Sequence, residues 1–379
     1  MNSERSYKKM KFLKKFASSI LHDDSKPNCL NPILFPLYLF SIIYGGIIRL
    51  RNRMYDLAVF KTRKLRCRVI SIGNITVGGT GKTPMAIILA NLLKERGYKP
   101  AVLSRGYGRK NKKRITLVSD ESHILAEFHE AGDEPLLIAK TVKGVPVITG
   151  SKRYLTGRYA VDNLGIDVLI LDDAFQHRSL FRNIDIVLLD SKRPFGNRFL
   201  LPRGPLREPK KALGRADIIV LTGENRDSAL FTQKTTMGAL INKKGAVPIF
   251  RGYHKPKELV KGEENDSYPL EYLSGKKVCA FAGIAKPESF EDTIVSLGGE
   301  VVSFITFPDH HRYTMGDIEE IKKASSNCSS EIIVTTEKDG IKLINFTEFF
   351  RDIFLLRIEM EIVNRSKEFE DVIMSKLLK

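Results

Sequence analysis

This sequence predicts an α/β fold with a mostly parallel sheet, and three observations lead to it. Short runs of β-branched and aliphatic residues recur along the chain, each ending at a polar or glycine-rich loop. Helix-period segments separate several of these runs, as a parallel sheet covered on both faces requires. One strand–loop–helix junction carries a glycine-rich stretch ending in Lys-Thr, the pattern of a phosphate-binding loop.

The chain begins with a basic arm in which Lys8, Lys9, Lys11, Lys14 and Lys15 crowd together. No charged residue falls between Pro27 and Ile48, where leucine, isoleucine and phenylalanine dominate. Pro32 and Pro36 restrict the continuous apolar helix to Pro36–Ile48, and the Gly45-Gly46 pair weakens it further. About 13 residues at 1.5 Å each cover ~20 Å, short of the ~30 Å hydrocarbon core of a bilayer. A helix lying in the membrane interface is therefore expected in place of a span, with Arg49, Arg51, Arg53, Arg63, Lys64 and Arg66 behind it to meet lipid phosphates. A buried core helix is the other reading of the same run. The late start of the run and the arginines that follow it do not fit a cleaved signal peptide.

Arg68–Ile72 reads as a buried strand running into Gly73-Asn-Ile-Thr-Val-Gly78-Gly79-Thr80-Gly81-Lys82-Thr83-Pro84, followed by the apolar-periodic helix Met85–Lys94. Glycines let backbone N–H groups curl round phosphates without Cβ clashes, and the helix N-terminus adds a favourable dipole. Gly78, Gly79, Thr80 and Gly81 form the loop, Lys82 would reach the β- and γ-phosphates, and the Thr83 hydroxyl would sit on Mg²⁺. The strict pattern asks for glycine where Thr76 stands. A second metal anchor is expected after the apolar strand Asp167–Leu171, at Asp172-Asp173. Adjacent strand residues point to opposite faces, so one carboxylate would hold Mg²⁺ through water while the other orients Lys82 or a substrate group. A capped turn is the alternative.

Further buried strands are expected at Pro100–Ser104, Val145–Thr149, Ile184–Leu189 and Ala216–Thr222. Ligands on such sheets sit at the carboxyl ends of the strands. Asp133, in Gly132-Asp-Glu-Pro135, suits the cap of a helix running to Lys140; a general base for an incoming hydroxyl is the functional alternative. The polar stretch from Tyr253 reads as a connection. A smaller α/β unit follows, with strands at Val278–Ala282, Val301–Phe307 and Glu331–Thr336. Asp309 and His310 stand on its strand-to-helix loop, ahead of the capping-box pattern Thr314-x-x-Asp317. The expected organisation is a basic arm and membrane-interface helix at 1–60, a phosphate-loop domain at 61–252, a connection at 253–275 and the smaller domain at 276–379.

Composition limits the classes open to such a chain. Its 379 residues carry 62 Lys+Arg against 44 Asp+Glu, a net charge of +18, so an anionic partner is expected. The basic residues flank an apolar helix and do not interleave with stacking aromatics, which argues against nucleic acid. The cysteines Cys29, Cys67, Cys279 and Cys328 show no CxxC or zinc-like spacing, which excludes a disulfide scaffold and suits a reducing compartment.

Seven motifs in order give the chain a likeness: Gly73–Pro84, Ser104-Arg-Gly-Tyr-Gly-Arg109, Gly132-Asp-Glu-Pro135, Asp172-Asp-Ala-Phe-Gln-His177, Leu201-Pro-Arg-Gly-Pro-Leu-Arg-Glu-Pro209, Phe307-Pro-Asp-His-His-Arg-Tyr313 and Thr335-Thr-Glu-Lys-Asp339. In these it resembles the tetraacyldisaccharide 4′-kinase family of lipid A biosynthesis. The resemblance implies transfer of the ATP γ-phosphoryl group to the 4′-hydroxyl of an acylated glucosamine disaccharide 1-phosphate, giving lipid IVA. It implies ATP and Mg²⁺ as cofactors, two α/β domains with the active site in the cleft between them, and a place on the cytoplasmic face of the bacterial inner membrane, monotopic or peripheral. It also matches Asp133 to the family's base, His310 to its histidine partner, and Lys82, Thr83, Asp172 and Asp173 to its nucleotide and metal residues. Ala174 replaces the usual glycine of Asp-Asp-Gly-Phe-Gln-His.

A sugar hydroxyl is a poor nucleophile, so a carboxylate must take its proton as the P–O bond forms. The acceptor's phosphate makes Arg105, Arg109, Arg153, Arg203 and Arg207 the candidates for binding it, with a generic surface role the alternative for each; Asp309 is a further candidate for contact with the substrate. Three rival readings stay open on the sequence alone: a soluble phosphate-loop enzyme of small metabolites, a nucleic-acid-dependent ATPase, and a membrane-anchored regulatory NTPase.

Overall fold

Runs of valine, isoleucine and leucine form the strands, and their burial on both faces follows from the helices packed over them. The computed structural model describes Ile20, Asp23, residues 31–107, Arg109, and residues 113–223, 247–263, 266–363 and 365–378. The basic-arm lysines, Cys29 and Gly108 of the Ser104–Arg109 motif lie outside the described residues.

The described helices are α1 (Leu34–Asp56), α2 (Lys82–Glu95), α3 (Phe128–Ala131), α4 (Asp133–Thr141), α5 (Arg153–Leu164), α6 (Pro287–Ser296), α7 (Met315–Asn327), α8 (Glu337–Leu343), α9 (Thr347–Asp352) and α10 (Ser366–Leu378). The strands are β1 (Arg68–Gly73), β2 (Pro100–Ser104), β3 (Thr116–Ser119), β4 (Val147–Thr149), β5 (Val168–Leu171), β6 (Ile184–Asp190) and β7 (Ile218–Thr222). They continue with β8 (Ile249–Lys261), β9 (Ser267–Tyr268), β10 (Lys277–Ala282), β11 (Glu300–Thr306), β12 (Ile332–Thr336) and β13 (Ile353–Ile362). The chain divides into two compact units, one of residues 1–105, 152–253 and 361–379, the other of residues 106–151 and 254–360.

In the first unit β1 lies between β5 and β6, with β2 beyond β5 and β7 beyond β6, all parallel. The order reverses at β1, so the loop after β1 and the end of β5 stand at a topological switch point, where open α/β sheets bind ligands. In the second unit β11, β10, β12 and β13 form a parallel set, and β3 pairs antiparallel with β4.

Contiguous domains were the expectation, and the units are interleaved instead. Residues 361–379 belong to the first unit because α10 docks there: Phe369 meets Phe250 edge-to-face at 5.1 Å, and Lys376 pairs with Asp217 at 2.9 Å. Residues 106–151, expected in the phosphate-loop domain, belong to the second. The expected connection at 253–275 is largely strand, because Leu259 and Val260 are buried and pair with Tyr268 and Ser267.

Helix α1 runs 23 residues, well beyond the Pro36–Ile48 expected, and is long and apolar enough to cross a bilayer by length and composition. Pro36 sits in its first turn, where no N–H partner is lost. Gly45 does not stop it: a Cβ there would fall 2.7 Å from Leu200 Cδ1, so the missing side chain allows close packing. Leu34, Ser41, Gly45 and Ile48 face inward, while Phe40, Ile43 and Ile47 are 58–60% exposed. An exposed apolar face of this kind marks an interaction surface.

Candidate functional site

Within the first unit, β1 delivers the chain to a loop closed by Asn74. Its buried amide Nδ2 donates to Thr80 Oγ1 at 3.1 Å and to the Gly78 carbonyl at 3.4 Å, while the Asn74 backbone carbonyl accepts from Gln176 Nε2 at 2.7 Å. Gly78 (φ +115°) and Gly81 (φ +80°) take left-handed backbone that side chains resist, and Gly81 is the N-cap of α2. Lys82 and Thr83 therefore stand on the first turn, where backbone N–H groups favour an anion. Thr76 forms an isolated antiparallel bridge with Leu206, a pairing that asks for no glycine.

Asp172 and Asp173 follow β5 and part company, as adjacent residues must. Asp172 is buried, its Oδ2 3.5 Å from Ser104 Oγ and its backbone carbonyl 3.3 Å from Arg153 Nη2. Asp173 takes φ +47° and faces cations: Lys82 Nζ lies 3.7 Å away, and Arg207 Nη1 donates to both carboxylate oxygens at 2.9 and 3.0 Å. Burial pushes the Asp173 carboxyl up, but Lys82 and Arg207 outweigh it and hold the group below its ordinary range. The left-handed strain falls on Asp173, so Ala174 fits where the motif usually has glycine; its N–H donates to the Ile72 carbonyl at 2.9 Å.

The second unit brings together Asp133 and His310. Gly132, at φ +89°, takes the N-cap position of α4, and a Cβ there would fall 2.6 Å from the Tyr107 carbonyl. Asp133 is thus the first helical residue and not the cap, and its Oδ1 accepts from the Glu134 N–H at 3.0 Å. Its Oδ2 lies 2.6 Å from His310 Nδ1. His310 sits at φ +59°, ahead of α7, whose Thr314–Asp317 capping box forms as expected. Strained backbone held at such a position is a mark of functional sites. The His310 ring also packs against Tyr107, with centroids 5.4 Å apart. Burial raises the Asp133 carboxyl, but the His310 hydrogen bond and the nearby Lys338 and Lys342 prevail and bring it down to about 2.

Sequence reasoning missed Lys338. Its Nζ is 3.3 Å from Asp309 Oδ1 and 3.6 Å from Glu134 Oε1, and the lysine lies in the Thr335–Asp339 motif that had no assigned role. The structure also corrects several arginines. Arg203 is fully buried and cannot meet a headgroup; its Nη1 donates to the Ile20 and Asp23 carbonyls at 3.1 Å, and its guanidinium covers the Phe199 ring. Arg153 is buried behind Asp172, and Arg207 is turned onto Asp173. Arg105 is exposed, while Arg109 is half-buried, with its Nη1 at 3.4 Å from Thr149 Oγ1.

The family model described as tetraacyldisaccharide-1-P 4′-kinase matches residues 33–378. The chain is similar to the tetraacyldisaccharide 4′-kinase of Syntrophus aciditrophicus, 51% identical over 354 residues that make up 92% of this chain and 94% of that protein. It is 40% identical to the enzyme of the same name from Desulfatibacillum aliphaticivorans over 349 residues, 90% and 92% of the two chains. Among solved structures it resembles LpxK from Aquifex aeolicus in complex with ATP, with TM-score 0.73 and 34% identity, covering 91% of this chain and 99% of that one.

Proposed function

The chain belongs to the tetraacyldisaccharide-1-P 4′-kinase family, ATP-dependent transferases of lipid A biosynthesis, and we propose that it performs that reaction with Asp133 as the base that opens it. The observation that carries this reading is the 2.6 Å contact between Asp133 Oδ2 and His310 Nδ1. An acceptor hydroxyl must lose its proton as its oxygen attacks phosphorus, and a carboxylate hydrogen-bonded to an imidazole forms a pair suited to take it. The 4′-O–H bond breaks, the new O–P bond forms, and the bond from phosphorus to the β,γ-bridging oxygen breaks, leaving ADP. The proton passes to the Asp133–His310 pair.

Lys82, held by Asp173, offsets charge on the β- and γ-phosphates, and Arg207 Nη1, shared between both carboxylate oxygens, keeps Asp173 in place. The donors nearby fit Mg²⁺: the Thr83 hydroxyl and the Asp172 carboxylate are hard oxygen ligands, and Mg²⁺ is commonly held by one or two such groups together with nucleotide phosphates. Asp172 is the better ligand, since Asp173 is already engaged by two cations. Bound there, Mg²⁺ would supply further neutralisation of the transferring group. The exposed apolar face of α1, with the exposed Arg49 and Arg53 near its end, supports seating on the cytoplasmic face of the inner membrane, where an acylated acceptor is held; Arg51, expected to meet lipid phosphate too, is turned onto Glu208 instead. Arg105 is the exposed candidate for the acceptor's phosphate.

The test uses γ-labelled ATP, Mg²⁺ and tetraacyldisaccharide 1-phosphate in mixed micelles. Label moving into the lipid fraction at the 4′-position is expected. Hydrolysis of ATP with no labelled lipid would contradict the reading.

A further inference from the structure

Arg207 holds Asp173 with its side chain, while its own peptide groups are clamped from two sides. Its N–H donates to the Ile75 carbonyl at 2.7 Å, on the loop that leads from β1 to α2. Its carbonyl accepts from the Tyr44 hydroxyl at 2.9 Å, on α1. Both backbone groups of one residue are thus satisfied by different elements, the phosphate loop and the N-terminal helix. Burial raises the Tyr44 hydroxyl above its ordinary pKa, so it stays a donor.

The residues beside Arg207 repeat the pattern. Toward the loop, the Val77 N–H donates to the Pro205 carbonyl at 2.8 Å, and Thr76 bridges to Leu206. Toward α1, the fully buried Glu208 accepts from Arg51 Nη2 at 2.9 Å and Asn52 Nδ2 at 3.1 Å, with Arg215 Nη2 a third donor at 2.9 Å. A buried carboxylate is costly without its cations, so Glu208 ties the segment to the helix. Leu200 packs at Gly45, and Phe199 meets Tyr38 edge-to-face at 5.8 Å. Residues 199–208 form a layer between α1 and the phosphate loop.

A second tie reaches the other partner of the contact. Arg178, shortly after Asp173 in the chain, donates to the Asn52 carbonyl at 2.9 Å and to Asp56 at 2.7 Å, and its guanidinium lies over the Tyr55 ring. The inward face of α1 carries Ser41, Tyr44, Gly45, Ile48, Arg51 and Asn52 at three- and four-residue spacing, while Phe40, Ile43 and Ile47 point outward. Asp173 sits at φ +47° between Lys82 and Arg207, so its place depends on where Arg207 is held. A misplacement of about 1 Å in such a group can cost about 10²-fold in rate.

We propose that Tyr44 and Arg51 are positioning residues for the nucleotide site: from the inward face of α1 they hold residues 207–208 where the Arg207 guanidinium keeps Asp173 against Lys82. The helix with the apolar outer face is, on its inner face, a brace for phosphoryl transfer. The inference rests on the reading of Lys82 and Asp173 as residues that serve the ATP phosphates, and is independent of how the acceptor loses its proton.

The experiment measures single-turnover transfer by the full chain at saturating labelled ATP with tetraacyldisaccharide 1-phosphate micelles, beside ATP affinity and the urea midpoint. Tyr44→Phe removes one hydrogen bond and keeps the ring. A loss of about three- to tenfold in the transfer rate is expected, with ATP affinity nearly unchanged. The same change is then made in Arg207→Met, where Asp173 is already released. No further loss beyond about twofold is expected there. A merely structural role for Tyr44 gives the same fold loss in both backgrounds, and that outcome overturns the proposal, as does a parent rate in Tyr44→Phe. Arg51→Gln, taken through the same cycle, is expected to behave alike and decides the matter if Tyr44→Phe does not fold. Arg51→Lys, which keeps a cation on Glu208, is expected to recover most of the rate. A parent rate in Lys82→Met overturns the nucleotide-site reading itself, which a failed cycle alone does not.

Discussion

His310 Nδ1 lies 2.6 Å from Asp133 Oδ2, although 177 positions separate the two residues in the chain. The contact joins the start of α4 to the loop before α7, and Gly132 and His310, both at positive φ, hold the two segments in place. If the imidazole orients the carboxylate, removing it should leave a weaker but working base. His310→Asn is expected to lower kcat by about 10–100-fold, less than loss of the carboxylate itself, with nucleotide affinity unchanged. Steady-state kinetics beside an equilibrium ATP titration checks this.

Arg207 grips both oxygens of Asp173, which in turn faces Lys82. Lysine keeps the charge as a point on a flexible stem and does not present the rigid, planar guanidinium whose Nη1 spans both oxygens. Arg207→Lys is therefore expected to cost at least about tenfold in kcat, and Arg207→Met more, because Asp173 is then free to leave Lys82. Single-turnover transfer rates at saturating ATP would separate this loss from weakened binding.

Glu208 is completely buried and accepts from Arg51 Nη2 at 2.9 Å, Asn52 Nδ2 at 3.1 Å and Arg215 Nη2 at 2.9 Å. Two buried or half-buried guanidinium groups would lose their counter-charge in Glu208→Ala. The expected destabilisation is about 3 kcal/mol, read from the midpoint of urea unfolding, with an unchanged slope.

His177 is pushed down to about 4 by burial and by Arg153, Arg182 and Arg105, against 6.5 for the unperturbed group. Its folded pKa is depressed, so the unfolded chain binds the proton more readily. Stability tied to the neutral ring is complete above about 6.5 and is lost as pH falls toward 4. His177→Asn should flatten the stability profile over that window, and urea titrations at several pH values would show whether it does.

The exposed residues Phe40, Ile43 and Ile47 form the outward face of α1. Burying each in a lipid interface is worth about 1.5–3 kcal/mol. The double change Ile43→Asp, Ile47→Asp should reduce co-flotation with anionic vesicles by more than about tenfold while leaving ATP binding intact. Equal flotation would argue that another surface meets the lipid.

Local chemistry made the phosphate loop, the strand ending at Asp172 and the Thr314–Asp317 capping box legible, because each depends on residues close together in sequence. What sequence could not reveal depends on the chain returning to itself. Arg203 looked like a headgroup ligand beside Arg207, yet one is buried against Phe199 and the other is turned onto Asp173. The interleaved units had the same cause: α10 packs on Phe250 and Asp217, far away in sequence. Gly45 looked like a helix breaker because its packing partner, Leu200, is 155 residues away. Lys338 was part of a recognised motif, but only folding brings it to Glu134 and Asp309.

Phosphoryl transfer by Asp133→Asn, measured beside the parent chain with γ-labelled ATP and tetraacyldisaccharide 1-phosphate, tests the central claim most directly. Asparagine keeps the shape of the side chain but cannot accept the acceptor's proton. The expected result is a fall in labelled lipid by about 10²–10⁴-fold with ATP affinity preserved. Labelled lipid formed at the parent rate would show that the proton leaves by another route, and that the contact with His310 is structural.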